Sequence, residues 1–148
     1  MNCKEEFKDI VKIEAYSLGD ITLSPTFSFS PIIDRSLVSF SGSPIHVSVS
    51  ENSAQANSSM IRNEAGTIYE NSLSWHSQDL SDETLSQIGE LVRGKYHFLL
   101  HTYDGKIKLI YNWCGFGKVI FKNQMATSDE SYNLSFNSKS RYPILTLK

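Results

Sequence analysis

Along residues 95–113, KYHFLLHTYDGKIKLIYNW, apolar and polar positions alternate with a period of two on either side of an Asp-Gly pair. Asp-Gly favours a two-residue turn whose twist matches that of the strands it joins, so the pattern predicts a hairpin turning at Asp104-Gly105. In that register Thr102 faces Ile107, Leu100 faces Leu109 and Phe98 faces Tyr111, and this face is core. The other face carries His97, Leu99, His101, Lys106, Lys108 and Ile110. Its mixed character is expected to meet water, another sheet or another subunit. On a strand rising roughly 3.3 Å per residue, His97 and His101 stand about 13 Å apart and do not share one metal ion.

The period of two recurs elsewhere. Val11, Ile13 and Ala15 alternate with Lys12, Glu14 and Tyr16, and Ile21 and Leu23 resume the pattern after Gly19-Asp20, which predicts a first hairpin. Short strands are expected around Phe27 and Phe29, bracketed by Pro25 and Pro31, at Val38 and Phe40, and at His46-Val47-Ser48-Val49. Residues 51–67, ENSAQANSSMIRNEAGT, lose the alternation, and a polar span of that length reads as a flexible or functional loop. Tyr69, Leu73 and Trp75 restore a strand. Further strands are expected at 118–122, 132–137 and 142–147, with a turn through 126–131.

One helix is predicted over about residues 81–93. Ser81 caps it, Asp82 and Glu83 put negative charge at its positive end, and Leu80 is placed to staple onto Leu85. Leu85, Ile88, Leu91 and Val92 form its apolar stripe, and Arg93-Gly94 ends it. The expected class is therefore mainly β with a single packed helix, an antiparallel β-sandwich or partly open barrel, and the 148 residues are expected to form one domain.

Composition narrows the function classes. A net charge of −2 with dispersed cations supplies no basic stripe for sequence-specific nucleic-acid binding. The start MNCKEEFKDIVKIE has no apolar signal core, and no later run reaches the ~20 apolar residues of a membrane helix, so a soluble cytoplasmic protein without a membrane partner is expected. Cys3 and Cys114 stand alone, as inert thiols of a reducing compartment do. Gly115-Phe116-Gly117 lacks the third glycine of a dinucleotide fingerprint. The adjacent acids Asp82-Glu83 and Asp129-Glu130 are explained by a helix start and a turn. His46 and His76 are the histidines that folding has to bring to the strand pair for an acid–base or metal site, yet no ligand spacing marks one. No catalytic, cofactor-binding or metal residue is assigned. Trp75, Trp113 and Phe116 are the candidates for an exposed aromatic platform, as in a lectin-like ligand-binding module.

The order DETLSQIGELVRG, KYHFLLHTYDGKIKLIYNW, GFGKVIFKNQMATSDESYNLSF and SKSRYPIL resembles small structural proteins of tailed bacteriophages, of the tail-tube-like and tail-hub-like sandwich type. The resemblance covers the last half of the chain and rests on element order and turn residues. It implies a non-enzymatic virion protein of the tail or head–tail connector, assembled in the host bacterial cytoplasm. Its implied partners are copies of itself, in a homo-oligomeric ring or tube, and other virion proteins. Residues 51–67 then serve as the assembly arm. The candidate interface residues are Asn57, Met60, Ile61, Arg62, His97, Leu99, His101, Lys108, Ile110, Trp113 and Phe116.

Overall fold

The computed structural model of the chain describes residues 3–7, 10–23, 32–50, 53–64, 66–79, 81–115, 117–125 and 130–148. In chain order the strands are β1 (Cys3–Phe7), β2 (Ile10–Ser17), β3 (Ile21–Leu23), β4 (Ile32–Ile33), β5 (Val38–Phe40), β6 (Ile45–His46), β7 (Gln55–Asn63) and β8 (Gly66–Ser77). Helix α1 (Asp82–Arg93) follows, then β9 (Tyr96–Thr102), β10 (Ile107–Ile110), β11 (Lys118–Met125), β12 (Glu130–Ser140) and β13 (Leu145–Leu147). One sheet has the order β1-β7-β8-β12-β11, a second β4-β13-β10-β9-β2-β6, and β3 pairs with β5 alone. All pairs are antiparallel except β4 with β13. The chain is mainly β with one helix.

The main core lies between the two large sheets. Ala56, Leu73, Trp75, Leu134 and Phe136 come from one, Ile13, Phe98, Leu100 and Ile110 from the other, and Ile88 and Leu91 from α1. Phe98 sits at the centre, with ring centroids 5.9 Å from Trp75 and 4.8 Å from Phe136. A second core on the opposite face of the six-stranded sheet holds Leu99, Leu109, Leu145 and Leu147 against Ile21, Ile33 and Val38. The six-stranded sheet is thus buried on both faces, the arrangement that produces near-continuous apolar strands.

The 95–113 hairpin forms one residue out of the expected register. Ile107 pairs with His101, Lys108 with Leu100, Leu109 with Leu99 and Ile110 with Phe98. The loop has three residues, Tyr103-Asp104-Gly105, closed by Thr102 N–H to Lys106 O at 2.9 Å and Gly105 N–H to Thr102 O at 3.1 Å. Gly105 takes φ 84°, the left-handed position of the three-residue hairpin. Because the side-chain period is two, this one-residue slip moves Leu109 to the second core and Ile110 to the main core.

Other expectations change for local reasons. Residues 55–63 are not a loop but strand β7, paired with β8 throughout and with β1 over Ala56–Met60, since Ser and Asn side chains can floor a sheet whose opposite face supplies Ala56 to the core, next to Ala54 just before the strand. The expected first hairpin is absent: a 3-10 turn at Leu18–Asp20 redirects the chain and β3 pairs with β5. A register shift between Ile10 and Lys12 turns Val11 outward, 58% exposed, while Ile10 and Ile13 stay in the core. The 46–49 strand is reduced to Ile45–His46. Phe27 and Phe29 with their flanking prolines, Leu80 and its staple, Phe116, and 126–129 of the expected turn lie outside the described residues.

The helix occupies its expected span. Ser81 Oγ accepts from Thr84 N–H at 3.3 Å, and Gly94 N–H closes onto Glu90 O at 3.0 Å. Its buried face is Thr84, Ile88 and Leu91, whereas Leu85 is 46% exposed. Thr84 Oγ1 donates to Asp79 Oδ2 at 2.8 Å, which ties that side of the first turn to the preceding chain and rotates Leu85 outward. Ile88→Ala is expected to destabilise the protein by about 2–5 kcal/mol and Leu85→Ala by less than about 1 kcal/mol. Urea denaturation of the two variants checks this, and equal losses would refute the assigned face.

Candidate functional site

The expected interface residues scatter. His97, Leu99, Lys108 and Ile110, offered by sequence as residues of an interface on a face open to water, another sheet or another subunit, are interior because both faces of the six-stranded sheet are covered. Lys108 lies along buried surface and its Nζ donates to Thr146 Oγ1 at 2.7 Å. His97 is 1% exposed and stacks on Tyr111 at 4.4 Å and 14°. Its Nε2 lies 3.0 Å from Leu18 O, and Asn112 N–H donates to its Nδ1 at 2.9 Å. An accepting Nδ1 leaves the proton on Nε2, so the neutral tautomer satisfies both neighbours. Burial holds this imidazole below the ordinary histidine range, outweighing the upward pull of Leu18 O and Asp20.

His101 and His46 converge on Glu14 from β9 and β6. His101 Nε2 is 2.5 Å from Glu14 Oε1, His46 Nδ1 is 3.7 Å from Oε2, and Lys12 Nζ stands 3.8 Å from Oε1. Glu14 is itself 7% exposed, and its charge adds to burial in raising the Tyr16 phenol. His76 is elsewhere, bonded through Nδ1 to Asn133 Oδ1 on β12. The pair His101–Glu14 has the carboxylate–imidazole half of a relay, but no described hydrogen bond brings a hydroxyl or thiol to either imidazole. Among the described residues no group of three or more His, Cys, Asp or Glu is placed to hold a metal ion. No helix among them is long and apolar enough to cross a membrane.

A concavity lies over the other sheet. A groove of about 1120 Å³ is floored by two cross-strand rows, Asn57–Ser72–Asn137 and Ser59–Glu70–Lys139, running over β7, β8 and β12. These side chains alternate with the buried Ser58, Leu73, Phe136 and Ser138, so they occupy the face turned away from the main core. Trp113 and Arg141 line it from the side, and Glu70 and Lys139 are 3.9 Å apart. Trp75, offered by sequence for an aromatic platform, is 1% exposed inside the core and cannot reach the groove. Trp113 is held there by Asn112, whose Nδ2 donates to Tyr96 O and Gly117 O, each at 3.1 Å, and whose Oδ1 accepts from Gly117 N–H at 2.8 Å. Gly117 leaves room for this turn, since a Cβ there would meet the Phe136 ring at 2.4 Å. The concentration of Asn and Ser in 55–63 and 69–77 was the available signal for this floor.

Met60, Ile61 and Arg62 fall together at the end of the β7–β8 ribbon. The last pair shared with β12 is Tyr69–Ser140 and the last shared with β1 is Met60–Cys3. Beyond them the rungs Ile61–Ile68, Arg62–Thr67 and Asn63–Gly66 continue, two strands wide among the described residues. Ile68 is 39% exposed and Arg62 is exposed. No family model, curated protein or solved structure matches the chain.

His97 gives the fold a defined response to acid. The folded state keeps this imidazole neutral to lower pH than the unfolded chain does, so stability is full above the unfolded histidine value near about 6.5. It falls as pH drops below that value and stops falling once the folded-state group itself protonates. Urea unfolding across this range is expected to show a shallower loss for His97→Gln than for the parent chain, and equal slopes would remove the assignment.

Proposed function

We propose that the chain is a non-enzymatic structural component of a phage virion, part of the tail or head–tail connection, and that it joins copies of itself into a ring or tube. The observation that carries the assembly half of this reading is the projecting end of the β7–β8 ribbon. A two-stranded ribbon is marginal alone, and among the described residues this one carries an Ile61–Ile68 pair beyond the last rungs shared with β1 and β12. Fully burying an isoleucine stabilises by about 1.5–3 kcal/mol, and a neighbour that covers this rung gains the part of that value that the half-buried Ile61 and the 39% exposed Ile68 have left. Beyond Met60 and Tyr69 no described strand pairs with the ribbon's outer edges, whose main-chain donors and acceptors suit strand addition. A tip that meets a different patch on the next copy makes a head-to-tail contact, which closes into a ring when the rotation allows. The virion half rests on the resemblance of residues 81–148 in element order and turn residues to tail-tube-like and tail-hub-like proteins.

The interface is accordingly smaller than the sequence implied. It keeps Met60, Ile61 and Arg62 and releases His97, Leu99, Lys108 and Ile110 to the two cores. Electron microscopy with light-scattering mass of the purified protein is expected to show rings or tubes. Ile61→Lys is expected to leave monomers that still unfold cooperatively on heating, because Ile61 is only half-buried at the ribbon's end, away from both cores. A compact monomer at high concentration, unaffected by co-expressed tail proteins, would overturn the proposal.

A further inference from the structure

We propose that the groove over β7, β8 and β12 binds an oligosaccharide. Its floor presents amides and hydroxyls in rows, Asn57–Ser72–Asn137 and Ser59 beside the Glu70–Lys139 pair, at the ~4.8 Å spacing of neighbouring strands. Each amide offers both donors and acceptors and each hydroxyl does either, which matches the vicinal hydroxyls of a sugar ring. Trp113 on the side wall supplies the flat apolar surface that the C–H face of a pyranose needs. A cavity of about 1120 Å³ exceeds what a small ligand fills and suits several linked sugars.

Two competing classes fit less well. An extended peptide gains its affinity from main-chain pairing with a free strand edge. Across the two floor rows the strands have none to give, because there β7 lies between β1 and β8, β8 between β7 and β12, and β12 between β8 and β11. A nucleic acid needs a run of cations, whereas the groove has Lys139 beside Glu70 at 3.9 Å and one further cation, Arg141. On the floor, Asn57 Oδ1 is buried without a hydrogen-bond partner among the described residues. An orphaned buried polar atom costs about 1–3 kcal/mol. A modest turn of the Asn57 amide toward a ligand hydroxyl recovers that loss, so the bound state relieves a cost that the free state bears.

The inference does not rest on assembly, and the test is built to separate the two. Isotope-labelled protein and its Ile61→Lys variant are titrated with maltohexaose, cellohexaose, chitohexaose, a mannan fragment and a galactan fragment, and in parallel with oligothymidylate and an extended apolar peptide. With at least one sugar, the side-chain amides of Asn57 and Asn137 and the indole of Trp113 are expected to shift together, in both proteins. Ser72→Tyr, which fills the floor, and Asn137→Ala are each expected to weaken that binding by about tenfold or more. Two substitutions are used so that one misfolded variant leaves the other to decide. No shift with any of the sugars at millimolar concentration, shifts that survive both substitutions, or shifts with the peptide or oligothymidylate alone would each overturn the proposal.

Discussion

The fold depends on the middle of β9 being sealed on both faces. Phe98 and Leu100 enter the core between the large sheets while Leu99 enters the second core, so water reaches neither side of the strand from His97 to Leu100. Every polar group carried into that environment then needs a partner inside the protein, since an unmet one costs more than a typical hydrogen bond returns. His97 is met by Leu18 O and Asn112 N–H, Glu14 by His101, and Lys108 by Thr146. These bonds lock the register more firmly than apolar packing does. A slip by one residue exchanges Phe98 and Leu99 between two cores that are both apolar, but it carries His97 away from its two partners.

That lock extends to the second sheet through Asn112. Its amide grips Tyr96 O on one side and both main-chain groups of Gly117 on the other, one residue before the start of β11 and against the Phe136 ring. The six-stranded sheet therefore fixes where the five-stranded sheet begins its edge strand. Trp113, next in sequence to Asn112, is placed at the groove by the same contacts. The groove wall is thus a consequence of how the interior satisfies its polar groups.

What the sequence made legible follows from which interactions are local. The helix span was readable because Ser81, Asp82, Glu83 and Gly94 act within a turn or two of themselves. Its rotation was not, because Thr84 is held by Asp79 while the more apolar Leu85 is left outside. The hairpin was readable from Asp104-Gly105, yet its register turned on Thr102, whose hydroxyl accepts from Lys106 N–H at 3.0 Å and donates to Asp104, making a three-residue loop of what reads as two. Double burial erased the alternation from which the exposed face was inferred, and this is why four interface candidates lie inside. Conversely β7 was missed because its floor side chains are Asn and Ser and its inward side chains are Ala56 and Ser58, a pattern with too little contrast to show a period of two. Of the proposed sites, the tip was legible as Met60, Ile61 and Arg62, whereas the groove needed the cross-strand register that aligns Asn57 with Ser72 and Asn137.

The β7–β8 ribbon unites the two surfaces and divides the kinds of recognition between them. From Ala56 to Met60 every main-chain partner of β7 is taken by β1 and β8, so only side chains remain to meet a ligand there. From Ile61 to Asn63 the ribbon passes beyond its described outer neighbours and its main chain becomes the available feature. Side-chain recognition depends on the exact residues of a floor, and backbone recognition depends on length, straightness and a small apolar anchor such as the Ile61–Ile68 rung. Substitutions at Ser72 or Asn137 and at Ile61 consequently act on separate physical terms although they lie on one continuous face. A protein built this way can change what its floor holds while keeping how its edge pairs.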